Sequence, residues 1–174
     1  MKNLEIYIHI PFCVRKCEYC DFLSFPADDD AKLRYVKGLM AEMIFYGPLM
    51  KNYQVSSVYI GGGTPSSIDE QWIAALMEGV FDCFNVLPDA EISIECNPGT
   101  LSREKLLAYR DAGINRLSIG LQSANNDELK LLGRIHTFEQ FVTNYEVARN
   151  VGFKNINVDL MYGLPGQSAS QYMA

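Results

Sequence analysis

The sequence lacks any long apolar run, and no stretch approaches the roughly 18 consecutive apolar residues that a membrane helix needs. It also lacks an excess of basic residues, since 15 Lys and Arg stand against 21 Asp and Glu for a net charge of −6. No basic run is therefore available to neutralise phosphates, which argues against a nucleic-acid partner. The first residues contain no apolar segment of the signal-peptide type. We expect a cytoplasmic protein.

Cysteine is scarce and unevenly distributed. Of the five cysteines, three lie within eight residues, at Cys13, Cys17 and Cys20. An odd, clustered set in a chain without a signal peptide favours metal binding over disulfides. Cys83 and Cys96 lie alone in apolar surroundings, and we interpret both as core residues, because a free cysteine behaves as a small hydrophobic side chain.

Short apolar runs alternate with longer amphipathic stretches along the chain. The patterns predict strands over residues 4–10, 55–60, 91–95, 116–119 and 155–160. They predict helices over residues 30–46, 69–81, 102–113, 127–132 and 137–150. This order indicates an α/β fold with a parallel sheet. Because only the start of a helix follows the last strand, we expect either a fragment or a chain that packs against another chain.

The cysteine spacing is CxxxCxxC, directly after the first predicted strand, where parallel α/β folds build their sites. Three thiolates on a four-iron cluster leave one iron without a protein ligand, and a small molecule with amino and carboxylate groups can chelate it. Structural zinc is the main alternative, but it needs a fourth ligand that this segment does not supply. His9 is a weak candidate for that ligand, because it alternates with apolar residues on a strand.

Six segments in order resemble the oxygen-independent coproporphyrinogen III oxidase family of radical S-adenosylmethionine (SAM) proteins. They are residues 6–22, 59–66, 91–98, 115–123, 132–136 and 157–167. The resemblance implies an incomplete (β/α)6 radical SAM barrel that is truncated after its fifth strand. It implies one core domain over residues 1–174, with the C-terminal part of the parent protein absent. The implied cofactors are a [4Fe-4S] cluster on the three cysteines and SAM.

The resemblance also implies the residues that contact SAM. These are Tyr7, Tyr19, Gly62, Gly63, Thr64, Glu95, Gln122, Arg134 and Asp159. The glycine run can offer N–H and C=O groups without side-chain obstruction. A carboxylate at Glu95 suits hydroxyl or ammonium donors, and Arg134 suits the SAM carboxylate. His136 belongs to a matched segment, but we assign it no role.

Two departures from the oxidases concern function. They carry a further cysteine two residues after the last ligand, where this chain has Phe22, and they have a longer N-terminal leader. Both departures resemble a sister branch, the haem chaperones of the HemW type, which bind haem and deliver it to other proteins. The resemblance therefore favours a haem chaperone. A coproporphyrinogen III dehydrogenase and an inactive fragment are the alternatives, so enzymatic activity stays open. Implied partners are haem or a porphyrinogen, a low-potential electron donor such as flavodoxin, and membrane-associated haem acceptors.

Overall fold

The computed structural model describes residues 2–173, which contain five strands in one sheet. The strands are β1 (Lys2–Ile10), β2 (Tyr53–Gly62), β3 (Val86–Cys96), β4 (Arg116–Gln122) and β5 (Asn155–Leu160). They follow one another across the sheet in chain order, and every neighbouring pair is parallel. The predicted parallel α/β sheet is confirmed.

Helices connect the strands at the predicted places. They are α1 (Asp29–Tyr46), α2 (Glu70–Cys83), α3 (Arg103–Asp111), α4 (Asn126–Leu131), α5 (Phe138–Asn150) and α6 (Ala169–Met173). Side-chain caps define where most of them begin, as at Asp28, whose carboxylate accepts from the Ala31 N–H at 2.7 Å. None of the helices in residues 2–173 is long and apolar enough to cross a membrane.

Two strand boundaries differ from the prediction by three residues or more. β3 begins at Val86 instead of residue 91, because Val86 pairs with Val55 before a register shift. β4 does not end at residue 119: it continues to Gln122, because Gly120 pairs with Asp159 and Gln122 pairs with Leu160 of β5. A second register shift follows Gly120 and brings the end of β4 to the edge of the sheet where the cysteines lie.

The two faces of the sheet have different chemistry. One face packs its apolar side chains, such as Ile10, Ile60 and Ile94, against the helices in a single core. Cys96 belongs to this core and Cys83 packs against it, which confirms both as packing residues. The alternate residues on the other face are polar and hydrogen-bond to one another across strands, so this face can line a site.

Candidate functional site

A cavity of about 280 Å³ lies at the carboxyl ends of the strands. It is bordered on one side by the segment after β1, residues 11–25, which we call the cysteine loop. Its lining contains all three clustered cysteines and eight of the nine predicted SAM contacts. These are Cys13, Cys17, Cys20, Tyr19, Gly62, Gly63, Thr64, Glu95, Gln122, Arg134 and Asp159. The structure thus brings together residues that are up to 146 positions apart in the chain (Asp159 against Cys13).

The cysteine loop is anchored on both sides by backbone hydrogen bonds. At its base, the Cys13 N–H donates to the Phe25 carbonyl at 3.2 Å and the Phe25 N–H donates to the Pro11 carbonyl at 3.0 Å. On the far side, the Glu18 N–H donates to the Leu132 carbonyl at 3.1 Å. These hydrogen bonds fix the position of the loop at the edge of the cavity.

The three thiols face the cavity from different points of the loop. The Cys13 thiol lies 3.4 Å from Thr64 Oγ1, and the Cys17 sulfur accepts from Arg134 Nη1 at 3.7 Å. Within residues 2–173, no group of three or more His, Cys, Asp or Glu side chains is spaced to hold a single metal ion. Thiols are suitable ligands for iron, and the binding of a cluster by Cys13, Cys17 and Cys20 stays a prediction.

His9 joins β1 to the cysteine loop. Its Nδ1 lies 3.1 Å from the Tyr7 hydroxyl and its Nε2 lies 3.4 Å from the Leu23 carbonyl. Both ring nitrogens have partners, so the structure gives His9 a supporting role. Tyr7 stacks on Tyr59, with 6.1 Å between ring centroids, and does not line the cavity. Its contact with SAM is therefore the one predicted contact that this cavity does not include.

The backbone of the glycine run is already engaged with the protein. The N–H groups of Gly62, Gly63 and Thr64 donate at 2.8–2.9 Å to Glu95 Oε2, the Ile10 carbonyl and the Phe12 carbonyl, in that order. The run therefore fastens β1 and the cysteine loop to β2. These three N–H groups have protein partners here, and the contact of the run with SAM stays a prediction.

Glu95 links β2 to β3 at the floor of the cavity. Besides the Gly62 N–H, its carboxylate accepts from the Tyr59 hydroxyl at 2.8 Å. Burial raises the pKa of Tyr59 well above its ordinary value, and the hydrogen bond to Glu95 and its charge act in the same direction. Tyr59 therefore stays protonated and continues to donate to Glu95.

Replacing Glu95 with Ala is expected to lower the free energy of unfolding by about 1–3 kcal/mol, because it leaves the Tyr59 hydroxyl and the Gly62 N–H without an acceptor. Urea unfolding of the apo chain measures this loss. Glu91 on the same strand is a matched control, because its carboxylate is half-exposed and pairs with Arg116 at 3.6 Å. The Glu91→Ala variant should lose less than about 1 kcal/mol. Equal losses for the two variants would contradict the role of Glu95 as the shared acceptor of the Tyr59 hydroxyl and the Gly62 N–H.

Asp159 is the carboxylate contributed by β5. Its Oδ2 accepts from the Ser118 hydroxyl at 3.2 Å, and its Oδ1 accepts from Asn157 Nδ2 at 2.7 Å. Ser118 also lines the cavity but was not predicted from the sequence. A signal was present, since Ser118 is a polar residue between Leu117 and Ile119 on a predicted strand and therefore faces away from the apolar core.

Gln122 has the only positive φ among the described non-glycine residues, at 73°. It lies at the register shift between β4 and β5 and lines the cavity. Such backbone strain persists where the surroundings impose it, and it often marks a functional position. Here it follows from the irregular end of β4, which carries Gln122 to the rim of the cavity.

Arg134 reaches the cavity from the segment after α4. Its Nη2 donates to the Gly120 carbonyl, and its Nη1 donates to the Tyr19 hydroxyl at 3.4 Å and to the Cys17 sulfur at 3.7 Å. Its Nε is buried and has no partner within the described residues. One donor of a guanidinium fork is therefore free to take a further acceptor in a buried position.

His136, which had no predicted role, is buried beside this site. Its Nδ1 lies 3.2 Å from Asn97 Oδ1, at the end of β3. Burial lowers the pKa of His136 to about 4, the positive charge of Arg134 adds to the lowering, and the Leu121 carbonyl partly offsets it. The imidazole is therefore neutral at physiological pH.

The pKa of His136 predicts an acid-sensitive contribution to stability. Above pH 6.5 the imidazole is neutral in both the folded and unfolded states. As pH falls from about 6.5 to about 4, the unfolded chain takes up the proton first, so the free energy of unfolding decreases by roughly 2–3 kcal/mol. Urea unfolding between pH 7 and pH 4 should show this decrease in the wild type, and a smaller one in the His136→Asn variant. An equal decrease in the free energy of unfolding for the two proteins would contradict the lowered pKa of His136.

Comparisons with known proteins agree with this arrangement. A family model for the radical SAM superfamily matches residues 7–173. The haem chaperone HemW of Escherichia coli K12 is 40% identical over 174 residues, which cover 97% of this chain and 45% of that protein. HemW of Bacillus subtilis 168 is 40% identical over 163 residues, which cover 93% and 43%. The chain thus spans less than half the length of these curated relatives.

One solved structure is also similar to this chain over nearly its whole length. It is the coproporphyrinogen III oxidase HemN of Escherichia coli, described as a radical SAM enzyme. The two superpose with a TM-score of 0.91 at 34% identity, over 99% of this chain and 40% of that one.

Proposed function

Because the chain belongs to the radical SAM superfamily, we propose that it binds a [4Fe-4S] cluster and SAM and serves as a haem chaperone. The predicted partial radical SAM barrel with parallel strands is confirmed by the superposition on HemN. The observation that carries the proposal is the single cavity that the three cysteines share with eight predicted SAM contacts. When bound and reduced, the cluster supplies the electron that cleaves the sulfonium of SAM.

Cys13, Cys17 and Cys20 would hold the cluster. Three soft thiolates on one anchored loop match the donor set of such a cluster and leave one iron for a small-molecule ligand. The Arg134 guanidinium lies 3.7 Å from the Cys17 sulfur, so a positive charge is next to one of the three proposed ligands of the negatively charged cluster site. These residues therefore fit the cofactor in number, in chemistry and in charge.

The polar residues of the cavity match the functional groups of SAM. Arg134 lines the cavity and brings a positive charge with several N–H donors, which suit the SAM carboxylate. Glu95 and Asp159 present carboxylates from β3 and β5, which suit ammonium and hydroxyl donors. Tyr19 lies between two of the cysteines, and its hydroxyl accepts from Arg134, so its ring lies beside the proposed ligand.

Two observations favour a haem chaperone over an oxidase. The curated relatives at 40% identity are named haem chaperones, while the HemN oxidase is 34% identical. Phe22 stands where the oxidases resembled here carry a further cysteine, and its side chain is exposed at the cavity. The partners would be haem, haem-accepting proteins and a low-potential electron donor. The high TM-score to HemN supports coproporphyrinogen III oxidation as the second candidate.

Anaerobic reconstitution with iron and sulfide tests the cofactor proposal. We expect about four irons and four sulfides per chain, followed by saturable SAM binding in equilibrium dialysis. Absorbance titration with haem is then compared with an assay for decarboxylation of coproporphyrinogen III in the presence of reductant and SAM. Haem binding without decarboxylation supports the chaperone, and decarboxylation overturns it in favour of the oxidase. A chain that takes up no cluster would refute the cofactor proposal for these residues.

A further inference from the structure

The segment that carries Arg134 lies between two loops of the site. On one side, the Leu132 carbonyl accepts from the Glu18 N–H of the cysteine loop. On the other side, Ile135 packs closely on Gly99. A Cβ atom added to Gly99 would lie 3.0 Å from Ile135 Cγ1. The position of Arg134 therefore depends on how residues 132–136 are held against the end of β3.

His136 makes the polar contact on that second side. It is 4% exposed, and its Nδ1 lies 3.2 Å from Asn97 Oδ1. The same Asn97 oxygen accepts from the Gly99 N–H at 3.0 Å, so it is an acceptor and His136 Nδ1 is the donor. Within the described residues, His136 Nε2 has no hydrogen bond of full geometry, although the Leu121 carbonyl lies near enough to the ring to affect its pKa. The Nδ1–H tautomer therefore holds this segment to β3.

Asn97 is itself firmly placed. Its backbone N–H donates at 3.0 Å to the hydroxyl of Ser66, which is fully buried and lies 2.6 Å from Thr100 Oγ1. Lys105 donates to the Ser66 carbonyl at 2.8 Å. The contact from His136 thus ends on a network that joins the loops after β2 and β3, which makes it a rigid support.

The guanidinium of Arg134 depends on the cysteine loop for most of its contacts. Within the described residues it hydrogen-bonds to the Gly120 carbonyl, the Tyr19 hydroxyl and the Cys17 sulfur, and two of these partners belong to the cysteine loop. Because the guanidinium is planar, these contacts fix its plane. The stem that carries it starts from the backbone at residues 134–136, so its position also depends on the hydrogen bond that His136 makes two residues later.

We infer that His136 is a positioning residue, which aims the Arg134 guanidinium at the carboxylate of SAM by donating Nδ1–H to Asn97. The inference rests on the proposed function, because it takes SAM as the ligand of the cavity. His136 touches no ligand in this role. It acts through Arg134, and it affects recognition of the SAM carboxylate and not of the rest of SAM.

Two variants of His136 and two ligands test this role. An asparagine amide can take the place of Nδ1, whereas a glutamine amide reaches the place of Nε2, so His136→Asn retains the donor to Asn97 and His136→Gln loses it. Both variants are polar and close in size. The ligands are SAM and decarboxylated SAM, which differ only in the carboxylate. Equilibrium dialysis with the reconstituted chain measures both affinities, and thermal unfolding of the apo chain verifies the fold.

We expect wild type to bind SAM about tenfold or more tightly than decarboxylated SAM, because the carboxylate gains charge-assisted hydrogen bonds from Arg134 and can also chelate the open iron. His136→Asn should keep this ratio, and His136→Gln should lower it severalfold while decarboxylated SAM binds as before. A His136→Gln variant that keeps the wild-type ratio, or that loses affinity for both ligands equally, overturns the inference alone. If wild type holds a cluster but binds no SAM, the proposed function fails as well.

Discussion

Replacing Cys17 with Ala is expected to abolish cluster assembly, so that the reconstituted variant holds almost no iron or sulfide and binds SAM only weakly. The physical reason is the number of ligands: three thiolates from one loop hold the cluster, and two leave a second iron without a protein ligand. Cys17 also lies at the middle of the loop, beside Arg134. Iron and sulfide assays after anaerobic reconstitution and desalting measure the effect.

Cys83 offers a matched control for this experiment. It ends α2, packs against the core and does not line the cavity. The Cys83→Ala variant should therefore retain the wild-type iron and sulfide content and the same affinity for SAM. Unchanged iron in the Cys17→Ala variant would refute the ligand assignment, and loss of iron in both variants would show that the effect is not specific to the cysteine loop.

Replacing Gly62 with Ala should lower the free energy of unfolding by on the order of 2–4 kcal/mol, more than the Glu95→Ala substitution. Gly62 has a φ of +120°, which residues with a side chain rarely adopt. A Cβ there would also lie 2.7 Å from the ring of His9 and 3.0 Å from the Ile10 carbonyl. Relief of these contacts would disturb the joint between β1, β2 and the cysteine loop, so SAM affinity should fall together with stability.

The control for this substitution is Gly38→Ala, within α1. Nothing lies within 4 Å of a Cβ at Gly38, and Ala is the better helix former. This variant should gain about 0.5–1 kcal/mol in the free energy of unfolding. Urea unfolding of both variants in the apo state measures the contrast. A Gly62→Ala chain as stable as wild type would contradict the close approach of β1 and β2 at this point.

The irregular parts of the sheet show where sequence patterns lose information. The start of β3 contains Pro88 and Asp89, both poor strand residues, so the apolar alternation only becomes visible at residue 91. The end of β4 contains Gly120, which normally indicates a turn. In both places pairing with a neighbouring strand extends the element, and that pairing depends on residues far away in the chain.

The sequence by itself determined the alternation of strands and helices, the cysteine spacing and the polar residues at the strand ends. These features depend on local periodicity and on the parallel order of the strands, so they can be derived from short segments. Only the tertiary structure decided that Glu95 accepts the Gly62 N–H, that Arg134 lies beside Cys17 and that His136 donates to Asn97. These contacts join residues between 33 and 117 positions apart. They depend on strand register and on how the loops pack, which no local pattern records.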